Sequence, residues 1–337
     1  MGNKANAPRS FNTIRRSQTK ERAKRRQTER VVLLSIFTVI AAIIVASLLL
    51  LICNIGSAIA SNAGNNHTDE TTDSNSGGTN PQIVYQQITK TSNDIFVGEL
   101  VLVNSSNEYQ FPTIPLVTIK TERDKALVNG ANPYQVGNDT YQMHETAFTA
   151  FHKMMSIYYQ MEQDGAVTVT GAYRDYKEQA DMSSSIAGPG FSDHHTGYCI
   201  ALRSNSQGGY LSADHWIYKY CHQYGFIVRY PNDKKDQTGG IEGYEYCFRY
   251  VGVPHASYIA KYGLCMEEYI ATLQNDYADG ECLTINAADG NNYAVYYVPA
   301  SGAELTTVSV PKNYEYTVSG DNVGGFIVTV NLSAPKE

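Results

Sequence analysis

Residues 224–231 read YGFIVRYP and residues 246–252 read YCFRYVG. Each is an apolar and aromatic run bounded by Gly or Pro, the pattern of a short strand. Gly225 ends a helix-like segment over 212–224, and Pro231 closes the strand that leaves it, residues 226–230. A second strand over 246–251 leads into a helix through 256–273. Further back, the turn Asp164-Gly165 precedes a strand over 166–170 and follows a helix over 140–163, where Thr140, Tyr141, Ala147, Phe148, Phe151, Met154, Met155, Tyr158 and Met161 recur at helical spacing. His144 and His152 on that helix belong to a packed or solvated face and are given no role. The run IFVGELVLVN, residues 95–104, reads as one more strand. Mixed helices and short strands of this kind predict an α+β body over 83–280 with a small antiparallel sheet and packed helices.

Beyond Cys282 the pattern changes to strand-like runs over 293–298, 306–310, 314–318 and 325–330, separated by Gly, Asn and Asp. They predict a small β appendage over 281–337 without the residue spacing of a catalytic site. At the other end, residues 31–53 (VVLLSIFTVIAAIIVASLLLLIC) carry no charge, and about twenty apolar residues span a bilayer as a helix. Residues 1–30 hold ten Lys or Arg against Glu21 and Glu29. This basic flank stays in the cytoplasm under the positive-inside rule, and flank and apolar core are both longer than a signal peptide normally has, so an uncleaved single-pass anchor with an extracytoplasmic body is expected over the rival reading of a signal peptide cleaved near Ala58-Ile59-Ala60. Residues 54–82 include a run rich in Ser, Thr, Asn, Asp and Gly and read as a flexible stalk.

The net charge of −7 therefore hides a tail of +8 and a remainder of −15, which disfavours nucleic acid as a partner of the body. Tyrosine is frequent, 26 residues against 10 Phe and 1 Trp, which suits clefts for polar, peptide-like or sugar-like ligands as well as plain strand packing. Five cysteines follow the span: Cys199, Cys221, Cys247, Cys265 and Cys282. The odd number leaves at least one unpaired.

Residues 171–174 (GAYR) with Gln179, residues 192–201 (SDHHTGYCIA) and residues 225–252 together resemble the VanY-type D-alanyl-D-alanine carboxypeptidases. That family reads Gly-x-Tyr-Arg, then Ser-x-His-x-x-Gly-x-Ala-x-Asp, then Tyr-Gly-Phe-Ile-x-Arg-Tyr-Pro and Glu-Pro-Trp-His-Phe-Arg-Tyr-Val-Gly. The resemblance covers roughly residues 95–272. It implies a cleft for a peptidoglycan stem peptide, lined by Tyr173, Gln179 and Ser192. Arg174 would stabilise charge on the attacked carbonyl. The family's zinc is held by the His and Asp of the second segment and the His of the last, with the Glu as general base. Three protein ligands leave the metal an open position for water.

Placed on that pattern, His194 keeps the first ligand position, whereas Ala201 stands where the family has Asp and has no atom able to coordinate. Cys247 stands at the second His and Tyr244 at the general base. Arg203, two residues beyond Ala201, repels a cation rather than binding one. Glu245 does not inherit the base, since one residue along a strand turns a side chain to the opposite face. Cysteine ligates zinc, so His194, Cys247 and a neighbour such as His195 compose an alternative, remodelled metal site; the primary expectation is no cofactor. Cys199 shares a strand face with Ala201 and points toward Cys247, either as a disulfide or as two buried thiols. The resemblance thus implies a membrane-anchored, catalytically impaired member that recognises stem peptides, with a remodelled peptidase and a docking platform as alternatives.

Overall fold

Alternating side chains on β-strands send neighbours to opposite faces, and this parity organises the body around two faces of one sheet. The computed structural model describes residues 82–182, 187–204, 209, 211–278 and 280–336. The expected tail, span and nearly all of the stalk lie outside these residues. Among the described residues, no helix is long and apolar enough to cross a membrane. In chain order the elements are β1 (Tyr85–Thr91), β2 (Leu116–Thr118), α1 (Ile119–Lys125), β3 (Gln135–Val136), β4 (Gln142–His144), α2 (Glu145–Glu162), β5 (Val167–Gly171) and α3 (Tyr176–Ala180). Then follow β6 (Cys199–Ser204), α4 (Trp216–Tyr220), β7 (Phe226–Val228), β8 (Cys247–Tyr250), α5 (Val253–Tyr262) and α6 (Met266–Asp276). The C-terminal strands are β9 (Leu283–Asn286), β10 (Asn292–Pro299), β11 (Leu305–Pro311), β12 (Tyr314–Gly320) and β13 (Gly325–Pro335).

The central sheet has the order β3-β5-β6-β8-β7, antiparallel except for the parallel β3–β5 pair. One face of β6, Ile200 and Leu202, packs with Val167, Val169 and Phe248 against the α2 stripe of Phe151, Met154 and Met155. All of these side chains are fully buried, and each such apolar group contributes about 1.5–3 kcal/mol to holding helix on sheet. The opposite face of β6 carries Cys199 and Ala201, which pack with Tyr230 and Cys247. Gly225 lets β7 enter the sheet: it has φ +83°, and a Cβ there would come within 2.7 Å of the Tyr250 ring.

The C-terminal strands form a sheet of order β12-β13-β10-β9, and β11 pairs with β1 from the start of the described chain. Leu283, Val295 and Ile327 of these strands share a core with Val251, Ile259 and Met266. Across this contact the buried His255 of α5 bonds Tyr269 Oη at 2.7 Å and Thr329 Oγ1 of β13 at 3.0 Å. Burial pushes its imidazole down to about 3, so it stays neutral.

Four sequence expectations need correction. Residues 95–104 form no strand; a 3-10 turn, Ser92–Phe96, gives way to irregular backbone with Leu100 to Val103 buried. Its carbonyls are satisfied by distant guanidinium groups instead of a neighbouring strand: Arg249 Nη2 donates to Glu99 O and Val101 O, and Arg229 Nη2 to Val103 O. The helix expected from 140 starts at Glu145, because residues 142–144 pair with β2 and His144 caps the helix by accepting from Thr146 N. The helix over 212–224 shortens to α4 followed by the 3-10 turn Cys221–Tyr224. The helix through 256–273 is two helices, broken where Gly263 takes the left-handed conformation.

Candidate functional site

A cleft of about 490 Å³ opens where the loop after β5 faces the edge-on ends of β6 and β8. Tyr173, Arg174, Ser192, His194, Ala201, Tyr244 and Cys247 all line it. Gly171 keeps the floor open, since a Cβ there would lie 3.3 Å from Ala201 Cβ and 3.6 Å from His194 Cε1. The loop is locked onto the 3-10 turn Asp193–Thr196 by hydrogen bonds in both directions. His194 Nδ1 lies 2.7 Å from Ala172 O, and Arg174 N donates to His194 O at 3.3 Å. A carbonyl only accepts, so Nδ1 of His194 carries the proton and Nε2 presents a lone pair, 3.9 Å from Cys199 Sγ.

The turn itself hangs on a buried charge cluster. Asp193 Oδ1 accepts from Arg249 Nη1, and Oδ2 accepts from Arg229 Nε at 3.2 Å; all three side chains are inaccessible to solvent. Arg229 also forks onto Glu267, at 3.0 and 2.8 Å. Burial alone would raise the Glu267 carboxyl, but the Arg229 charge and its hydrogen bonds hold it below the usual range. The sequence reading recognised the two arginine-bearing segments yet missed that Asp193 joins them; the one available signal was an acidic residue beside His194.

The other predicted residues divide sharply. Register sets Ala201 opposite Cys247 and Cys199 opposite Arg249. Cys199 and Cys247 are free thiols, so of the two alternatives left by the sequence the structure has the unbonded one. Their mutual hydrogen bond, with burial, pushes the Cys199 thiol well above its ordinary value. Tyr244 packs at a tilt against Tyr246, with ring centroids 5.4 Å apart. Gln179 is a correction: it is buried outside the cleft lining, and its Nε2 donates to Ala187 O at 2.7 Å, so it ties down a loop instead of facing a ligand. His195 is not available as a ligand either. It is fully buried, Gly190 N donates to its Nε2 at 3.1 Å, and its Nδ1 lies 2.7 Å from Arg174 O. Glu245 turns away from the cleft and accepts from Asn232 N, and Glu242 pairs with Lys235. Two lining residues the sequence did not assign to a ligand are Arg203 and the buried Tyr230.

The donor set does not fit the zinc ion that the resemblance implies. Ala201 contributes no donor, and among the described residues no group of three His, Cys, Asp or Glu stands together so as to hold a metal. The residue at the general-base position is a phenol.

The fold is that of the VanY-type peptidases. The VanY family model, D-alanyl-D-alanine carboxypeptidase, matches residues 140–253. A D-alanyl-D-alanine carboxypeptidase of Enterococcus faecium is 29% identical over 254 residues, 73% of this chain and 79% of that protein. The bifunctional D-Ala-D-Ala dipeptidase and carboxypeptidase VanXYC of Enterococcus gallinarum is 31% identical over 132 residues, 32% of this chain and 67% of that protein. The crystal structure of the vancomycin resistance D,D-dipeptidase VanXYg with a D-Ala-D-Ala phosphinate analog matches with a TM-score of 0.62 at 24% identity, covering 74% of this chain and 99% of that one. The chain belongs to the VanY-type D-alanyl-D-alanine carboxypeptidase family.

Proposed function

We propose that this chain is a membrane-anchored, extracytoplasmic VanY-type protein that holds the end of a peptidoglycan stem peptide in its cleft without hydrolysing it. The observation that carries this reading is the pairing of Ala201 with Cys247 across β6 and β8, beside His194 and with Tyr244 at the general-base position. Hydrolysis needs a polarised water and a group to take its proton, and general acid–base assistance alone is worth about 10²–10⁴-fold. Neither is supplied by Ala201, Cys247 and Tyr244. Binding needs less. Arg174 lines the cleft with a guanidinium suited to a carboxylate, and Tyr173, Tyr244 and Tyr246 give aromatic walls with polar edges. The uncharged segment 31–53 with its basic flank supports anchoring, with the body outside the cytoplasm.

The test uses the full-length chain in detergent with a peptide ending in D-Ala-D-Ala. The expected result is saturable binding, loss of binding in Arg174→Ala, no D-alanine release and no stoichiometric zinc in the purified protein. Release of D-alanine that depends on Arg174 would overturn the reading. A triple variant, A201D/Y244E/C247H, restores the family's donor set and is expected to take up zinc stoichiometrically.

A further inference from the structure

A second cavity, of about 440 Å³, opens at the end of β5 remote from the cleft. The last turn of α2 and the residues after it form one wall, and α4 with the residues before it forms the other. Asp164 stands here, seven residues before the Gly171 of the cleft floor, which is about 20 Å of extended chain. Trp216, the single tryptophan of the chain, is half-buried in this cavity. Its ring packs at a tilt between Tyr158 and Tyr220, with centroids 5.7 and 5.0 Å away, and Tyr220 is 39% exposed. The three rings hold one another in place and form a rigid aromatic shelf.

The polar groups beside the shelf are fixed in direction. Ile217 N donates to His215 Nδ1 at 3.2 Å, so the ring proton sits on Nε2, 3.1 Å from Tyr158 Oη. Burial pushes this imidazole down, which keeps it neutral. The Tyr158 hydroxyl accepts from it and donates onward to Asp164 Oδ2 at 2.8 Å, while Ala166 N donates to Asp164 Oδ1 at 2.8 Å. The Asp164 carboxylate is thereby locked, and each oxygen keeps a further lone pair. Glu162 and Asp214 add exposed carboxylates to the rim, and Lys219 adds an ammonium. Such a rim both accepts and donates. An anion would meet three carboxylates, and an ammonium, which only donates, would face Lys219. A hydroxyl does both, and the C–H face of a sugar ring covers an aromatic ring while its hydroxyls reach the polar edge.

From this arrangement we infer that the cavity is a binding site for a neutral oligosaccharide, with a sugar ring on the shelf of Trp216 and Tyr220 and its hydroxyls bonded to Asp164, Glu162 and Lys219. Its volume lies within the size range of sites that enclose small ligands. The inference goes beyond peptide recognition and does not depend on it: the two sites occupy opposite ends of β5 and share no lining residue.

Because Trp216 is the only tryptophan, its fluorescence reports this cavity alone. The full-length chain in detergent is titrated with two neutral probes, the N-acetylglucosamine tetramer and maltotetraose, and with the cationic glucosamine tetramer. The expected result is a saturable change in tryptophan emission with a neutral tetramer, at an affinity that Arg174→Ala leaves unchanged. Tyr220→Ala removes an exposed ring of the shelf and Glu162→Gln one charged acceptor, and each is expected to weaken binding about 10-fold. Calorimetry repeats the titrations without relying on emission, and thermal melts of both variants confirm the fold. Absence of both an emission change and heat with the two neutral tetramers overturns the inference. Tighter binding of the glucosamine tetramer than of either neutral probe also overturns it, in favour of a cation site. So does unaltered sugar affinity in both variants. Each of these failures leaves peptide recognition at the cleft standing, since that is read from the D-Ala-D-Ala peptide and Arg174→Ala.

Discussion

β6 and β8 turn one face away from α2, and along that face two polar constellations sit a few residues apart. At one end Asp193 is gripped by Arg229 and Arg249, which also take the carbonyls of residues 99, 101 and 103. Every charge there has an opposite partner and every guanidinium is spent. At the other end Cys199, Cys247, Ala201 and Tyr244 place two thiols, a methyl and a phenol around the lone pair of His194. The apparatus that aims His194 is complete, while the residues that would use it for hydrolysis are not. The two are physically separable: removing one partner from a buried ion network strands the remaining charge and is strongly destabilising, whereas catalytic donors at a cleft surface contribute little to stability and are replaced without loss of the fold.

The strongest test of that contrast is Arg249→Ala. It leaves Asp193 buried with half its partners and is expected to lower unfolding free energy by about 3–5 kcal/mol in denaturant titration. A loss no greater than that of Cys247→Ala would erase the distinction between the two ends. The next effect concerns the contact between α5 and β13. His255 has a folded pKa depressed to about 3, below its unfolded value of about 6.5, so the unfolded chain binds a proton that the folded chain refuses. Stability on this account is full above that unfolded value and falls with pH below it, by about 2 kcal/mol between pH 7 and pH 5. Urea unfolding at the two pH values should show the difference, and His255→Gln should remove most of it. Peptide binding at the distant cleft is unaffected by that substitution if the separation holds. Smallest is Cys247→Ala, which deletes one buried sulfur and is expected to cost about 1 kcal/mol, read by the same titration. A much larger cost would mean that the thiol pair serves as a structural clamp.

Much of the cleft was legible before any coordinates. Strand parity alone placed Cys199 and Ala201 on one face and turned Glu245 away, and the structure has them so. What parity does not convey is depth. His195 and Gln179 occupy positions that read as site-facing, yet both are buried in backbone-tying hydrogen bonds behind the lining. Residues 95–104 were misread for a related reason. Their apolar run is real, but their hydrogen-bond partners are side chains about 125 to 150 positions away, which no local pattern contains.

By itself the sequence determined the chemistry that is missing, because an alanine has no donor and a phenol is no carboxylate wherever the chain puts them. It also determined the strands over 166–170, 226–230 and 246–251, since an apolar run with its bounding turn residues is local. Only the tertiary structure decided what the remaining polar groups do. It turned Asp193 into an anchor, spent His195 on the backbone, left Arg174 without a charged partner among the described residues and laid Arg203 on Tyr246 inside the cleft. The role of a charged side chain is fixed by which distant groups surround it and how far from water it lies, and both are properties of the packed chain.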